Sequence, residues 1–218
     1  MILSFVNLKG GVGKSTLAIN VAAALAERVG AVRVVDLDPQ GSCLAWQARR
    51  QEHPRAGLLP VTVSAPPKLP TAAQVKALGE GCAHIVVDAA AGDVHIAQTA
   101  LAAADLVVLP VTGSETDVSG TERTVALLLE SRRGKAARET PVVLLLNRLI
   151  VNSRIGEEVR RHLRRWPHKI LPTTIYQRVE FANADQIGRA VVETQPQGQA
   201  AQEIRKATRE LLRLAAAK

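Results

Sequence analysis

Aromatic side chains are scarce in this chain: Phe, Trp and Tyr together make up 2% of its 218 residues. That shortage argues against recognition of nucleic acid by stacking bases on rings. Cysteine is nearly missing as well. Cys43 and Cys82 lie far apart and in no ligand spacing, which argues against a disulfide framework or a zinc site and points to a reducing cytosol. No apolar run approaches the roughly 20 residues that span a bilayer, and a strand-like run opens the chain where a signal peptide would lie. With so few rings, the core must come from Val, Leu, Ile and Ala, which suits a parallel sheet covered on both faces. Acidic residues are outnumbered, leaving a net charge of +8. This charge fits a polyanionic partner held through phosphates, and it fits equally an ordinary basic surface.

What is present is a regular alternation. Apolar, β-branched runs predict strands at Ile2–Val6, Val32–Asp36, Val61–Ser64, His84–Asp88, Leu106–Val111, Val142–Asn147 and Lys169–Thr174. Helical patterns fall near 15–28, 42–52, 71–79, 94–104, 116–132, 153–166, 180–187 and 200–216. Such alternation predicts an α/β fold, a doubly wound and mostly parallel sheet of about seven strands with helices on both faces. Ligands then sit beyond the carboxyl ends of the strands. One domain spanning 1–218 is the economical reading, with no room before the first loop for a helix-turn-helix module. Pro66-Pro67-Lys68-Leu69-Pro70 reads as a stiff connector, and Ser131 to Thr140 as a basic surface loop.

The most informative segment is Lys9-Gly10-Gly11-Val12-Gly13-Lys14-Ser15-Thr16, between the first strand and the first helix. Glycines let backbone N–H groups turn inward and approach a phosphate, and the helix adds its N-terminal dipole. Lys14 can reach terminal phosphates, and the Ser15 hydroxyl can ligate Mg²⁺. This is a P-loop for a nucleoside triphosphate, with two departures from the strict pattern: Leu8 replaces a glycine, and a second lysine, Lys9, stands at the entrance.

Three strand ends add acid and amide groups. Val35-Asp36-Leu37-Asp38-Pro39-Gln40 carries two carboxylates two residues apart, expected on one face. Directed at a metal–phosphate site, one can hold metal-bound water and the other position the attacking water. Ile85-Val86-Val87-Asp88 has the Walker B pattern, with Asp88 expected to bind Mg²⁺ directly or through water and Gly92 available as a hinge beyond it. Leu146-Asn147-Arg148 ends another strand with an amide able to donate and accept toward a base edge. Asp117 suits both a helix start and a place facing the nucleotide.

The two lysines flanking three glycines, Asp36-Leu37-Asp38-Pro39-Gln40, and Asn147 together resemble the deviant Walker A ATPases of the ParA/MinD class, most closely the small ParA (ParF-like) plasmid partition proteins. By that resemblance Lys9, Lys14 and Asp38 are catalytic, with Lys9 reaching the nucleotide of a partner subunit, and Ser15, Asp36, Asp38 and Asp88 serve the metal. Lys9, Gly10, Gly11, Val12, Gly13, Lys14, Ser15, Thr16, Asn147, Arg148 and Tyr176 would contact the nucleotide. The resemblance implies ATP and Mg²⁺ as cofactors, slow partner-stimulated hydrolysis, an ATP-dependent homodimer, non-specific DNA, a ParB-like centromere-binding protein, and a cytoplasmic, nucleoid-associated location. The helix over 153–166 puts Ile155, Val159, Leu163 and Trp166 on one stripe. Its other surface carries Arg160, Arg161, Arg164 and Arg165. These, with Arg189, Arg205, Lys206, Arg209 and Arg213, are the DNA-facing candidates, unless they are merely solvated. Positioning of a protein cargo is an alternative use of the same switch. A MinD-like membrane role would need the helix over 200–216 to insert, although covering the sheet suits it better. A metal-cluster ATPase would need paired cysteines, which Cys43 and Cys82 do not supply.

Overall fold

Seven strands form a sheet in the order β3-β2-β4-β1-β5-β6-β7, and each of its pairings is parallel. The computed structural model describes residues 1–113, 121–127, 130 and 140–217. The strands are β1 Ile2–Phe5, β2 Val32–Asp36, β3 Val61–Ser64, β4 His84–Asp88, β5 Leu106–Val111, β6 Val142–Leu146 and β7 Lys169–Ile170. The labelled helices are α1 Lys14–Val29, α2 Ser42–Glu52, α3 Ala72–Ala77, α4 Val94–Ala103, α5 Ile155–Leu163, α6 Val179–Gln186, α7 Val191–Thr194 and α8 Gln199–Ala216. A further helical stretch covers 121–127. The predicted basic loop, Asp117 and much of the predicted helix over 116–132 lie outside the described residues.

β1, β5 and β6 are buried along their whole length, because apolar layers cover both faces. One layer gathers α1, Cys43 and Trp46 of α2, Ala184 of α6, α7 and the apolar stripe of α8 against Leu3, Phe5 and Val34. The other gathers Val75 of α3, α4 and Val159 and Leu163 of α5 against Val6, Val35 and Val87. Small residues dominate α1, which lets it lie close on the strands. The helix after β1 and the helix after β4 therefore sit on opposite faces, although β1 and β4 are neighbours. This divergence opens a crevice at their carboxyl ends, where the glycine loop and Asp88 emerge. Ile204 and Leu211 of α8 are buried in the first layer, so its apolar stripe covers the fold.

Three local expectations need correction. β7 stops at Ile170 and does not run to Thr174. Pro172 has no N–H for the ladder, and the chain resumes contact where Ile175 N donates to Leu146 O at 2.9 Å. Ile155 stays 43% exposed, so the buried stripe of α5 begins at Val159. A short helix, α7, follows Gly188 where none was expected.

α2 is bolted to the C-terminal third. Trp46 Nε1 donates to Arg189 O at 3.1 Å. Arg50 donates to Gly188 O and pairs with Glu193 at 2.6 Å, both side chains nearly buried. Glu193 also accepts from Leu59 N and Ala190 N. Burial works to raise the Glu193 carboxyl, but Arg50 and the backbone donors outweigh it and leave it below its ordinary value. Breaking such a pair strands a charge at a cost of about 3–5 kcal/mol. Arg50→Ala should therefore lower Tm by about 6–20 °C at neutral pH. In the wild type the pair's contribution holds above pH 4.5 and fades as pH falls through the depressed carboxyl pKa. Thermal melts of both proteins between pH 3 and 7, roughly spanning that range, measure this.

Candidate functional site

The glycine loop is shaped by side chains outside it. Gly11 and Gly13 take positive φ values of 76° and 85°, which glycine adopts without strain. Asn147 Nδ2 donates to Val12 O at 2.8 Å, and Arg148 Nη1 to Gly11 O at 2.9 Å. With these carbonyls held on one side, planar trans peptides turn the N–H groups of Val12 and Gly13 to the other. A Cβ on Gly13 would lie 2.4 Å from Asn147 Nδ2, so this approach requires glycine. At the entrance the buried Asn7 is the anchor. It donates to Pro110 O and Thr121 Oγ1, and its Oδ1 accepts from Lys9 N and Thr124 Oγ1. Asn7 escaped the sequence reading; its one signal is a polar residue closing an apolar strand.

α1 begins directly on the loop. Gly13 offers no side chain to cap it, and its first turn holds no acidic residue. The orphan amides of that turn are thus available to an anion. Lys14 is buried, and its Nζ donates to Lys9 O at 3.2 Å. Burial lowers the Lys14 pKa, against the opposing pull of Asp88 and Asp38.

The acidic residues face this loop but do not share a role. β2 ends at Asp36, so the expected alternation does not carry on to Asp38. Asp36 turns inward, accepting from Asp38 N, Cys43 N and Leu44 N at 3.0–3.1 Å. It thereby seeds α2. Asp38 instead lines a cavity of about 650 Å³ with Gly10, Gly11, Gly13, Lys14, Ser15 and Thr16. Asp88 stands opposite Asp36 in the β2–β4 register and is fully buried. Its Oδ2 accepts from the Cys43 thiol at 3.3 Å, while Oδ1 is buried without a hydrogen-bond partner among the described residues. Burial pushes the Asp88 carboxyl up to about 7; the Asp36 charge pushes the same way, and Ser15, Cys43 and Lys14 oppose. An orphaned, desolvated oxygen beside a second carboxylate fits a divalent cation. The Cys43 position in this cluster, with ligand atoms of Asp36, Cys43 and Asp88 within 4.8 Å of one another, was not legible in the sequence. Gly92, the expected hinge, donates to Leu8 O at 2.9 Å and so touches the loop.

A second cavity of about 510 Å³ adjoins the first. Gly13, Thr16, Asn147, Arg148, Tyr176 and Phe181 are among its lining residues, which brings the predicted base-side residues together. Arg178 sits over the Tyr176 ring at 5.8 Å and pairs with Glu203 at 2.6 Å.

The basic candidates divide. Arg161, Arg164, Arg165, Lys206, Arg209 and Arg213 are exposed. Arg160 donates to Leu171 O, Pro172 O and Thr174 Oγ1, pinning the edge of the sheet. Arg205 pairs with Glu27 at 2.6 Å. Arg189 is a correction: it is 8% exposed, and its guanidinium donates to His53 O. It packs the α2 contact and has no surface to offer DNA. α5 and α8 hold the segment 171–178 from the two faces of the sheet, through Arg160 on one and Glu203 and Glu210 on the other.

A glycine loop at an uncapped helix start, facing buried carboxylates across the crevice of a parallel sheet, defines a P-loop nucleotide-binding α/β protein. Residues 3–192 match the family CbiA, the CobQ/CobB/MinD/ParA nucleotide binding domain, and the chain belongs to that family. It is similar to the chromosome-partitioning ATPase Soj of Thermus thermophilus, with 31% identity covering 96% of this chain and 94% of the relative. The maintenance of carboxysome distribution protein A of Halothiobacillus neapolitanus is 27% identical, covering 91% and 90%. Among solved structures, septum site-determining protein MinD of Pyrococcus horikoshii, complexed with Mg-ADP, superposes with a TM-score of 0.75 at 19% identity, covering 98% of this chain and 96% of that one. The chain is thus of the ParA/MinD class.

The raised Asp88 carboxyl makes a testable demand. Without a cation, folding takes up a proton at Asp88 once the unfolded chain has lost it, so this term weakens stability as pH rises from 3.8 to about 7. Asp88→Asn should raise the metal-free Tm by several degrees at pH 8 relative to wild type, and by little near pH 4, as followed by calorimetry across that range.

Proposed function

We propose that the chain is an ATP-driven dimerisation switch that binds non-specific DNA and partitions or positions a cargo, with a partner protein stimulating hydrolysis. The observation that carries this reading is that Lys14, Ser15 and Asp38 line one cavity. The loop amides of Val12 and Gly13, the first turn of α1 and the Lys14 ammonium hold the phosphates. The Ser15 hydroxyl and Asp88 would hold Mg²⁺, with the buried Asp36 carboxylate opposite Asp88 adding charge. Mg²⁺ when bound neutralises phosphate charge and polarises the terminal phosphoryl group. Asp38 orients the attacking water from the open side of the cavity. Asn147, Arg148 and Tyr176 receive the base, and Lys9 completes the site of a second copy.

The exposed arginines and lysines of α5, its following turn and α8 supply the DNA-binding charge: Arg161, Arg164, Arg165 and Lys206, with Arg209 and Arg213. The net charge of +8 supports this reading. A centromere-binding, ParB-like partner with plasmid DNA as cargo is the finer form of the proposal, set in a cytoplasmic, nucleoid-associated location. A protein assembly is the alternative cargo, favoured by the similarity to the carboxysome distribution protein over 91% of the chain. Among the described residues no helix is long and apolar enough to cross a membrane.

Binding to random-sequence duplex DNA, without nucleotide, with ADP and with ATP-Mg²⁺, tests the switch. ATP-dependent binding is expected, with a log–log salt slope of about −0.9 per phosphate neutralised. Absence of DNA binding in every state would remove DNA from the proposal. Asp38→Ala should bind ATP normally and lose hydrolysis by about two to three powers of ten, since the water is no longer positioned. Steady-state phosphate release alongside equilibrium ATP binding reads both quantities.

A further inference from the structure

The two cavities share four lining residues: Gly13, Thr16, Arg148 and Asp185. A nucleoside triphosphate with its base in one cavity and its phosphates in the other must lay its sugar across that shared part. Of the four residues, Asp185 alone is a carboxylate. A ribose presents hydroxyl donors, and an ionised carboxylate is an acceptor with about four lone-pair sites.

Asp185 is held in position before any ligand arrives. Arg49 Nη2 donates to both carboxylate oxygens at 2.9 Å, and Arg49 Nε donates to the Asp185 backbone carbonyl at 2.8 Å. The grip fixes the carboxylate plane while taking about half of its acceptor sites. The remaining sites stay accessible, because the Asp185 side chain is 52% exposed while that of Arg49 is 31% exposed. Arg49 itself lies on α2 and is steadied by the Trp46 and Arg50 contacts on either side of its turn. The carboxylate is thus presented on a braced element.

We infer that Asp185 is the ribose-reading group of this site, accepting from the sugar hydroxyls, and that Arg49 is its positioning residue. The inference rests on the nucleotide reading given above and adds discrimination for a ribose over a sugar without its hydroxyls. It also gives a role to the Arg49–Asp185 pair, which neither the loop nor the carboxylates require.

The test is equilibrium binding of ATP, 2′,3′-dideoxy-ATP and inorganic tripolyphosphate, each with Mg²⁺, to the wild type, Asp185→Ala, Asp185→Asn and Arg49→Ala. The wild type should prefer ATP over the dideoxy analogue by about tenfold or more, the contribution of a hydrogen bond to a charged group. Asp185→Ala should bind both nucleotides equally. Asp185→Asn should retain a fraction of the preference. Arg49→Ala should reduce the preference without abolishing it. Tripolyphosphate has no sugar, so its binding reports that each variant is folded with a working phosphate cavity. Because Arg49 and Asp185 also line that cavity, the assignment is read from the ratio of ATP to dideoxy-ATP affinity within each protein and not from absolute affinity. Equal binding of ATP and dideoxy-ATP by the wild type, or full preference in Asp185→Ala, would overturn the ribose assignment while leaving the nucleotide reading intact. Tripolyphosphate binding with no gain for ATP would overturn the nucleotide reading, and this inference with it.

Discussion

Two carboxylates stand side by side where the sheet offers them no water. The β2–β4 register sets Asp36 opposite Asp88, both buried, at the carboxyl ends of adjacent strands. Like charges in that setting repel and are poorly solvated. Three features answer the strain. Backbone amides at the start of α2 take up Asp36. The Cys43 thiol donates to one oxygen of Asp88. The glycine loop brings Lys14 and the positive end of α1 to the other side. The residual imbalance, an orphaned Asp88 oxygen and a carboxyl raised to about 7, is the feature a divalent cation would relieve. The tertiary arrangement around the crevice can be read as the scaffold that keeps this pair in place.

The same scaffold links distant parts of the chain. α2 begins just beyond Asp38, is seeded by Asp36, and is clamped to the segment 185–193 by Trp46, Arg49 and Arg50. Gly188 permits the clamp: it has a φ of 62°, and a Cβ there would fall 2.1 Å from Arg50 N. The base-side helix α6 ends at this contact. The acid loop and the base-side cavity therefore rest against one another through a single helix.

Much of this was legible along the sequence. Strand-end motifs are local, so the loop at Lys9 to Thr16, Asp88 at the end of β4 and Asn147 beyond β6 could be read from neighbouring residues alone. The parallel sheet followed from apolar runs alternating with helical patterns. What misled was also local. Asp36 and Asp38 were read as one face of a strand, but the strand ends between them. Arg189 counted as a surface charge until the α2 contact enclosed it. Asn7, Arg49 and Asp185 carried no pattern, because each acts on a residue far away in the sequence.

The division has a physical basis. Backbone conformation near glycine, hydrophobic period and strand-end chemistry depend on a few adjacent residues, so the sequence by itself determined the fold class, the glycine loop and the presence of acids beside it. Long-range contacts depend on which elements meet. The tertiary structure alone decided that Asp36 caps a helix while Asp38 faces the cavity, that Cys43 touches Asp88, and that Arg49 aligns Asp185 136 residues away.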